Sequence, residues 1–94
     1  MRKILIAEDE VYARKSMKKQ IRECMKDEKT VILEAANGKQ GLELVREEKP
    51  DLVFTDIRMP VMDGLDFLRE IKAVDAGIKV VIISAYADFE YAKT

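Results

Sequence analysis

Short apolar segments alternate with amphipathic ones along the chain. Four segments rich in β-branched residues, of the length of buried strands, predict β-strands at residues 4–7, 30–36, 52–55 and 79–83. Apolar residues recur at spacings of three and four after each of the first three strands, which predicts amphipathic helices. Strands that alternate with helices form βαβ units with right-handed crossovers. The pattern therefore predicts an α/β fold, with a parallel sheet covered by helices on both faces.

The helix predictions rest on these spacings and on the turn residues, prolines and glycines that bound the helices. The apolar face of the first helix is predicted to contain Val11, Met17, Ile21, Cys24 and Met25. The second helix follows the Asn-Gly turn at 37–38 and should end before Pro50, because the residue before a proline is driven out of helical geometry. The third should reach about residue 74 and be closed by Gly77, and residues 88–94 resemble the opening of a fourth helix.

Composition narrows the function classes. The chain has 94 residues, 48% hydrophobic and 37% charged, which predicts one folded domain over residues 1–94. A net charge of −1 favours neither nucleic acid nor an anionic membrane. A single cysteine and no histidine exclude a disulfide framework, His-based triads and the usual zinc sites. With no apolar segment near the roughly 20 residues that span a bilayer, we expect a cytoplasmic location.

Polar side chains follow three of the predicted strands. Glu8 and Asp9 follow the first, Asp56 the third and Ser84 the fourth. In open parallel sheets, ligands bind outside the carboxyl ends of the strands, so these groups should meet at one edge. Carboxylates this close repel one another without a cation, and ligand sets of oxygen alone favour Mg²⁺ or Mn²⁺. Taken alone, the three acids at 8–10 would more often form a solvated loop.

Three motifs carry a family resemblance. They are Ile-Leu-Ile-Ala-Glu-Asp-Glu at 4–10, Val-Phe-Thr-Asp-Ile-Arg-Met-Pro-Val-Met-Asp-Gly at 53–64 and Val-Val-Ile-Ile-Ser-Ala-Tyr at 80–86. Together they resemble the receiver domain of two-component response regulators. The resemblance implies a flavodoxin-like, doubly wound parallel sheet of strand order 2-1-3-4-5. This chain ends before strand five and helix five, so it is interpreted as a truncated receiver in which no residue takes the role of the family's strand-five lysine.

The resemblance also implies roles for individual residues. Asp56 would be the phosphoacceptor, and Ser84 would contact the phosphoryl group and act in the switch. Asp9 and Asp56 would supply carboxylate oxygens to Mg²⁺, Arg58 its backbone carbonyl, and Glu8 would act mainly through bound water. The protein would not be an enzyme beyond its own phosphoryl transfer and dephosphorylation.

Partners follow from the same resemblance. A sensor histidine kinase would donate the phosphoryl group. Residues 85–93 resemble regulators with an AraC-type DNA-binding output domain, which would lie beyond this segment, so the segment itself would bind neither nucleic acid nor membrane. An unpaired apolar strand at 80–83 predicts a domain-swapped or edge-paired oligomer. The basic stripe of Arg14, Lys18 and Arg22 is interpreted as a solvated helix face, with an acidic kinase surface as the alternative.

Two other classes compete with the receiver interpretation. A phosphorylation-independent pseudoreceiver would be a pure interaction module. A haloacid-dehalogenase phosphatase would need Asp-x-Asp after the first strand, where this chain has Glu8-Asp9-Glu10. Dinucleotide and P-loop motifs do not occur in the sequence. Away from the proposed site, Asp63 is interpreted as a turn residue, Gly64 as a backbone requirement and Glu10 as a first-turn acid.

Overall fold

Parallel strands and helices alternate in the computed structural model, which describes residues 2–25, 29–59 and 62–83. The elements in chain order are β1 (Arg2–Ala7), α1 (Val11–Cys24), β2 (Thr30–Ala35), α2 (Gly38–Glu48), β3 (Leu52–Asp56), α3 (Gly64–Val74) and β4 (Lys79–Ile83). All strand pairs are parallel, and the sheet order is β2-β1-β3-β4. The predicted α/β class, the seven elements and the order of the first four strands are confirmed.

Strand β1 lies at the centre of the described sheet. It pairs with β2 on one side and with β3 on the other, and residues 4–7 are completely buried. A parallel strand covered on both faces must be apolar throughout, which explains its continuous Ile-Leu-Ile-Ala sequence. Because Ala7 is in register with Thr55, the next residue of each strand, Glu8 and Asp56, emerges at the same edge of the sheet.

The main hydrophobic core lies between the sheet and helices α2 and α3. Leu5 and Val53 contribute from the strands, Val45 from α2 and Phe67 from α3. Phe67 is completely buried, and a Cβ at Gly41 would come within 2.6 Å of its ring. The glycine therefore lets α2 approach α3 closely.

Helix α1 covers the opposite face of the sheet less completely. No residue of α1 is buried, although Met17 and Ile21 face the sheet as predicted, across a cavity of about 240 Å³. That cavity is also lined by Phe54 of β3 and Ile83 of β4. The sheet is thus covered by helices on both faces, with the tighter packing on the side of α2 and α3.

The helix boundaries follow the predictions except in two details, at the start of α1 and at the end of α3. Glu10 is not in the first turn of α1 but is its N-cap, and its carboxylate accepts the Tyr12 N–H at 3.4 Å. Helix α2 ends before Pro50 as predicted, through Lys49 in the left-handed conformation. Helix α3 reaches Val74 as predicted, but the extended conformation of Asp75, two residues before Gly77, ends it there. The predicted helix at 88–94 lies outside the described residues.

No helix in the described part of the chain combines the length and the apolar character needed to cross a membrane.

Candidate functional site

Three carboxylates converge at the edge of the sheet where β1 and β3 end. One oxygen each from Glu8, Asp9 and Asp56 can be chosen so that all three lie within 4.8 Å of one another. Asp56 is the last residue of β3, and Glu8 and Asp9 directly follow β1. The sequence-based expectation that these acids meet at one edge is therefore confirmed, although they come from segments almost 50 residues apart.

Glu8 is the buried member of the cluster, with 5% of its surface exposed, whereas Asp9 is exposed and Asp56 half-buried. The Glu8 N–H donates to the backbone carbonyl of Ala35 in β2 at 3.0 Å. Its carboxylate accepts the Glu10 N–H, also at 3.0 Å. Both the backbone and the side chain of Glu8 are therefore held in place while the more exposed acids face solvent.

The environment of the cluster disfavours ionisation of the Glu8 carboxyl group. Burial is the main cause that raises the pKa of Glu8, to about 7, and the neighbouring Asp56 and Asp9 carboxyls raise it further. The hydrogen bond from the Glu10 N–H acts in the opposite direction. A buried carboxylate beside two other acids is strained unless a cation neutralises it. An oxygen-only donor set of this kind fits Mg²⁺ or Mn²⁺.

The raised pKa of Glu8 predicts a pH-dependent stability without divalent cations. Between its ordinary value of 4.5 and about 7, the folded protein binds more protons than the unfolded chain. The free energy of unfolding should therefore fall as pH rises through this window, by at most about 3 kcal/mol. The pKa of Glu34 is lowered, so its contribution changes only at more acidic pH.

Urea unfolding in EDTA at a series of pH values between 5 and 8 measures this slope. Glu8→Gln cannot titrate and should show a flatter profile over the same window. Equal slopes in the two proteins would show that Glu8 does not carry the effect.

Described residues of the segment between β3 and α3 form the other side of the site. Asp9, Arg58, Met59 and Asp63 line a cavity of about 410 Å³. Arg58 is exposed and lines this cavity together with Asp9, and the ligand role of its carbonyl stays a prediction. Asp63, interpreted as a turn residue, is the N-cap of α3 and accepts the Asp66 N–H at 2.9 Å.

Gly64 allows this loop to pack directly against the end of β3. Its N–H donates to the Ile57 carbonyl at 2.9 Å. A Cβ at Gly64 would lie 2.4 Å from the Asp56 carbonyl oxygen and 2.9 Å from the Ile57 Cα. Glycine is therefore required because any side chain at this position would clash with the backbone of the proposed phosphoacceptor. The sequence pattern alone does not show this steric reason.

Two further residues at the site were missed from the sequence. Thr55 is completely buried in β3, and its hydroxyl donates to the Asp56 carbonyl at 3.0 Å. A hydroxyl within an otherwise apolar strand is the signal that could have identified it. Arg14, assigned to a solvated stripe, instead donates from Nη1 to the Glu8 carbonyl at 2.8 Å. That assignment was wrong for Arg14, because its long side chain reaches back from α1 to the end of β1.

Ser84 and the AraC-like segment at 85–93 lie outside the described residues. The contact of Ser84 with a phosphoryl group stays a prediction, as do the metal-ligand roles of the individual acids and the phosphoacceptor role of Asp56.

The fold and the acidic edge together define a class of signalling domain. Residues 4–94 match the family model of the response regulator receiver domain, and the chain belongs to this family. It is 40% identical over 93 residues to the transcriptional regulatory protein HptR of Staphylococcus aureus, covering 99% of this chain and 36% of that protein. The chain thus spans about a third of the length of several curated relatives.

Shorter relatives and solved structures agree with this assignment. The chain is 38% identical over 88 residues to sporulation initiation phosphotransferase F of Bacillus subtilis, covering 94% of this chain and 68% of that protein. The receiver domain of sensor histidine kinase PA1611 from Pseudomonas aeruginosa aligns with a TM-score of 0.78 at 25% identity, over 92% of this chain and 69% of that one. That structure is described as having a magnesium ion coordinated in the active site cleft.

Proposed function

We propose that residues 1–94 act as one receiver domain in which Asp56 accepts a phosphoryl group from a sensor histidine kinase. The observation that carries this proposal is the convergence of Asp56 with Glu8 and Asp9 at the edge of the sheet where β1 and β3 end. Asp56 is half-buried at the end of a rigid strand, and an exposed cavity beside Asp9 and Arg58 gives room for an incoming group.

In the proposed reaction, a carboxylate oxygen of Asp56 attacks the phosphorus of a phosphohistidine. An O–P bond forms as the P–N bond breaks, and the electron pair passes to the imidazole nitrogen. Such a transfer depends mainly on positioning and on charge stabilisation. Glu8, Asp9, Asp56 and the Arg58 carbonyl would hold Mg²⁺, or Mn²⁺, whose charge stabilises the negative charge on the transferred group. We propose no catalytic activity beyond this self-phosphorylation and the subsequent dephosphorylation.

The aspartyl phosphate would change the surface that the receiver presents. It adds negative charge and strong acceptor oxygens at the edge of the sheet. Ser84 follows β4 in the sequence and would approach one of these oxygens. The similarity to HptR, a transcriptional regulatory protein, supports a transcriptional output. We propose that a further, DNA-binding domain delivers this output.

Treatment of the protein with a small phosphodonor tests this proposal. With Mg²⁺, intact-mass spectrometry should detect the addition of one phosphoryl group, and hydroxylamine should release it, as expected for an acyl phosphate. In EDTA the modification should fall to background. Binding of Mg²⁺ without any modification would contradict the proposal and favour the pseudoreceiver alternative.

A further inference from the structure

We propose that Arg14 is a positioning residue for the acidic site, which it serves by holding the backbone of Glu8. This inference rests on the proposed function, because it concerns the same three carboxylates. Its basis is a pair of contacts that reach from α1 to β1 and β2. The Arg14 Nη1 donates to the Glu8 carbonyl at 2.8 Å, and the Nε donates to the Glu34 carboxylate at 3.3 Å.

The contact to Glu8 completes the restraint of that residue. Its N–H is already bound to the Ala35 carbonyl, and its side chain to the Glu10 N–H. The carbonyl lies where the chain leaves β1 and has not yet entered α1, so the sheet and helix hydrogen bonds do not restrain it. Arg14 supplies this restraint from α1. Glu8 is thereby held by β2, by α1 and by its own loop.

The environment of Arg14 favours a fixed geometry. Only 16% of its side chain is exposed, compared with 80% for the side chain of Arg69, which forms an ion pair on the surface of α3. A guanidinium presents its N–H groups in a rigid fork, so binding Glu34 through one nitrogen directs another toward Glu8. Lys18 also contacts Glu34, at 3.1 Å. The contacts of Lys18 and Arg14 keep Glu34 ionised and lower its pKa.

Two possible roles of Arg14, as a nearby charge and as a residue that positions Glu8, predict opposite changes in metal affinity when Arg14 is replaced. A cation near a magnesium site repels the metal, so simple Coulomb repulsion predicts that removing Arg14 would strengthen metal binding. Loss of a residue that holds a ligand has the opposite effect, and the loss of such outer contacts weakens metal affinity by about 10-fold or more. The sign of the change therefore distinguishes the two roles.

The test is a titration with Mn²⁺ alone, followed through the electron paramagnetic resonance signal of the free ion, and repeated with Mg²⁺ by calorimetry. Arg14→Met retains most of the apolar stem and should weaken binding about 10-fold. The matched control is Arg22→Met, an exposed position on the same helix with the same loss of charge. It should bind as tightly as the wild type or slightly more tightly.

A conservative variant, Arg14→Lys, allows the test to be made even if Arg14→Met does not fold. Arg14→Lys keeps the charge but not the fork, and it should also bind Mn²⁺ more weakly than the wild type, with an unchanged urea midpoint. Should Arg14→Met fail to fold, the comparison rests on Arg14→Lys. Unchanged or tighter binding in a folded Arg14 variant would overturn the inference. A wild-type protein that does not bind either ion would instead refute the proposed function.

Discussion

Replacing Asp56 with asparagine is expected to abolish phosphoryl incorporation from a small phosphodonor. The amide has almost the same shape as the carboxylate, but its oxygen is a poor nucleophile and it carries no charge to help hold a metal. The change also removes one of the acids that raise the pKa of Glu8. The Asp56→Asn protein should therefore be more stable than the wild type in EDTA at pH 8, while intact-mass spectrometry detects no modification.

Asp75→Asn provides a matched control at the other end of α3. Asp75 is the C-cap residue of that helix, and its carboxylate accepts the Gly77 N–H at 2.8 Å, which an asparagine oxygen can also do. This variant should be modified as fast as the wild type. Modification that persists in Asp56→Asn would assign the acceptor to another residue, and a loss shared by both variants would point to a general effect on the fold.

Gly64→Ala is expected to produce the largest combined effect on stability and phosphorylation. The new methyl group would lie 2.4 Å from the Asp56 carbonyl oxygen and 2.9 Å from the Ile57 Cα. Both atoms belong to the backbone at the end of β3, so no flexible side chain can move away. We expect a loss of about 3 kcal/mol in the free energy of unfolding, at the upper end of the range for overpacking.

The same substitution should slow phosphorylation by about 100-fold, because relief of the clash moves Asp56 relative to Glu8 and Asp9. Displacements of about 1 Å in a reacting group have effects of this size. Urea unfolding and the initial rate of mass increase measure the two effects. Among the residues that the structure describes, a Cβ at Gly77 would meet only the flexible Asp75 carboxylate, at 3.2 Å, so Gly77→Ala should be tolerated. Equal rates and stabilities in the two variants would contradict the steric role of Gly64.

The location of the acidic site could be predicted from the sequence because two simple rules combine. Apolar runs of three or four residues identified the strands, and parallel strands place their carboxyl ends at one edge. Acids directly after β1 and at the end of β3 were therefore expected at that same edge. The register, with Ala7 opposite Thr55, then places Glu8 beside Asp56. The family resemblance was needed for the strand order, which makes β1 and β3 neighbours, and for the predicted role of each acid.

Details of the site could not be predicted, because they depend on which distant side chains fill the remaining space. The basic stripe on α1 looked uniform in the sequence, yet Arg14 binds Glu8 and Glu34 while Arg22 stays exposed. Likewise, the hydroxyl of Thr55 gains its role from the carbonyl of the next residue, within a buried strand.

By itself, the sequence determined the secondary structure, the fold class and the edge of the sheet where the acids gather, since each follows from periodicity and from the direction of parallel strands. Tertiary structure alone decided how deeply Glu8 is buried, which basic side chain binds its backbone carbonyl and why no side chain fits at residue 64. These properties depend on distances between atoms that lie far apart in the chain and meet only when the elements pack together. The spacing of residue types along the sequence does not give such distances.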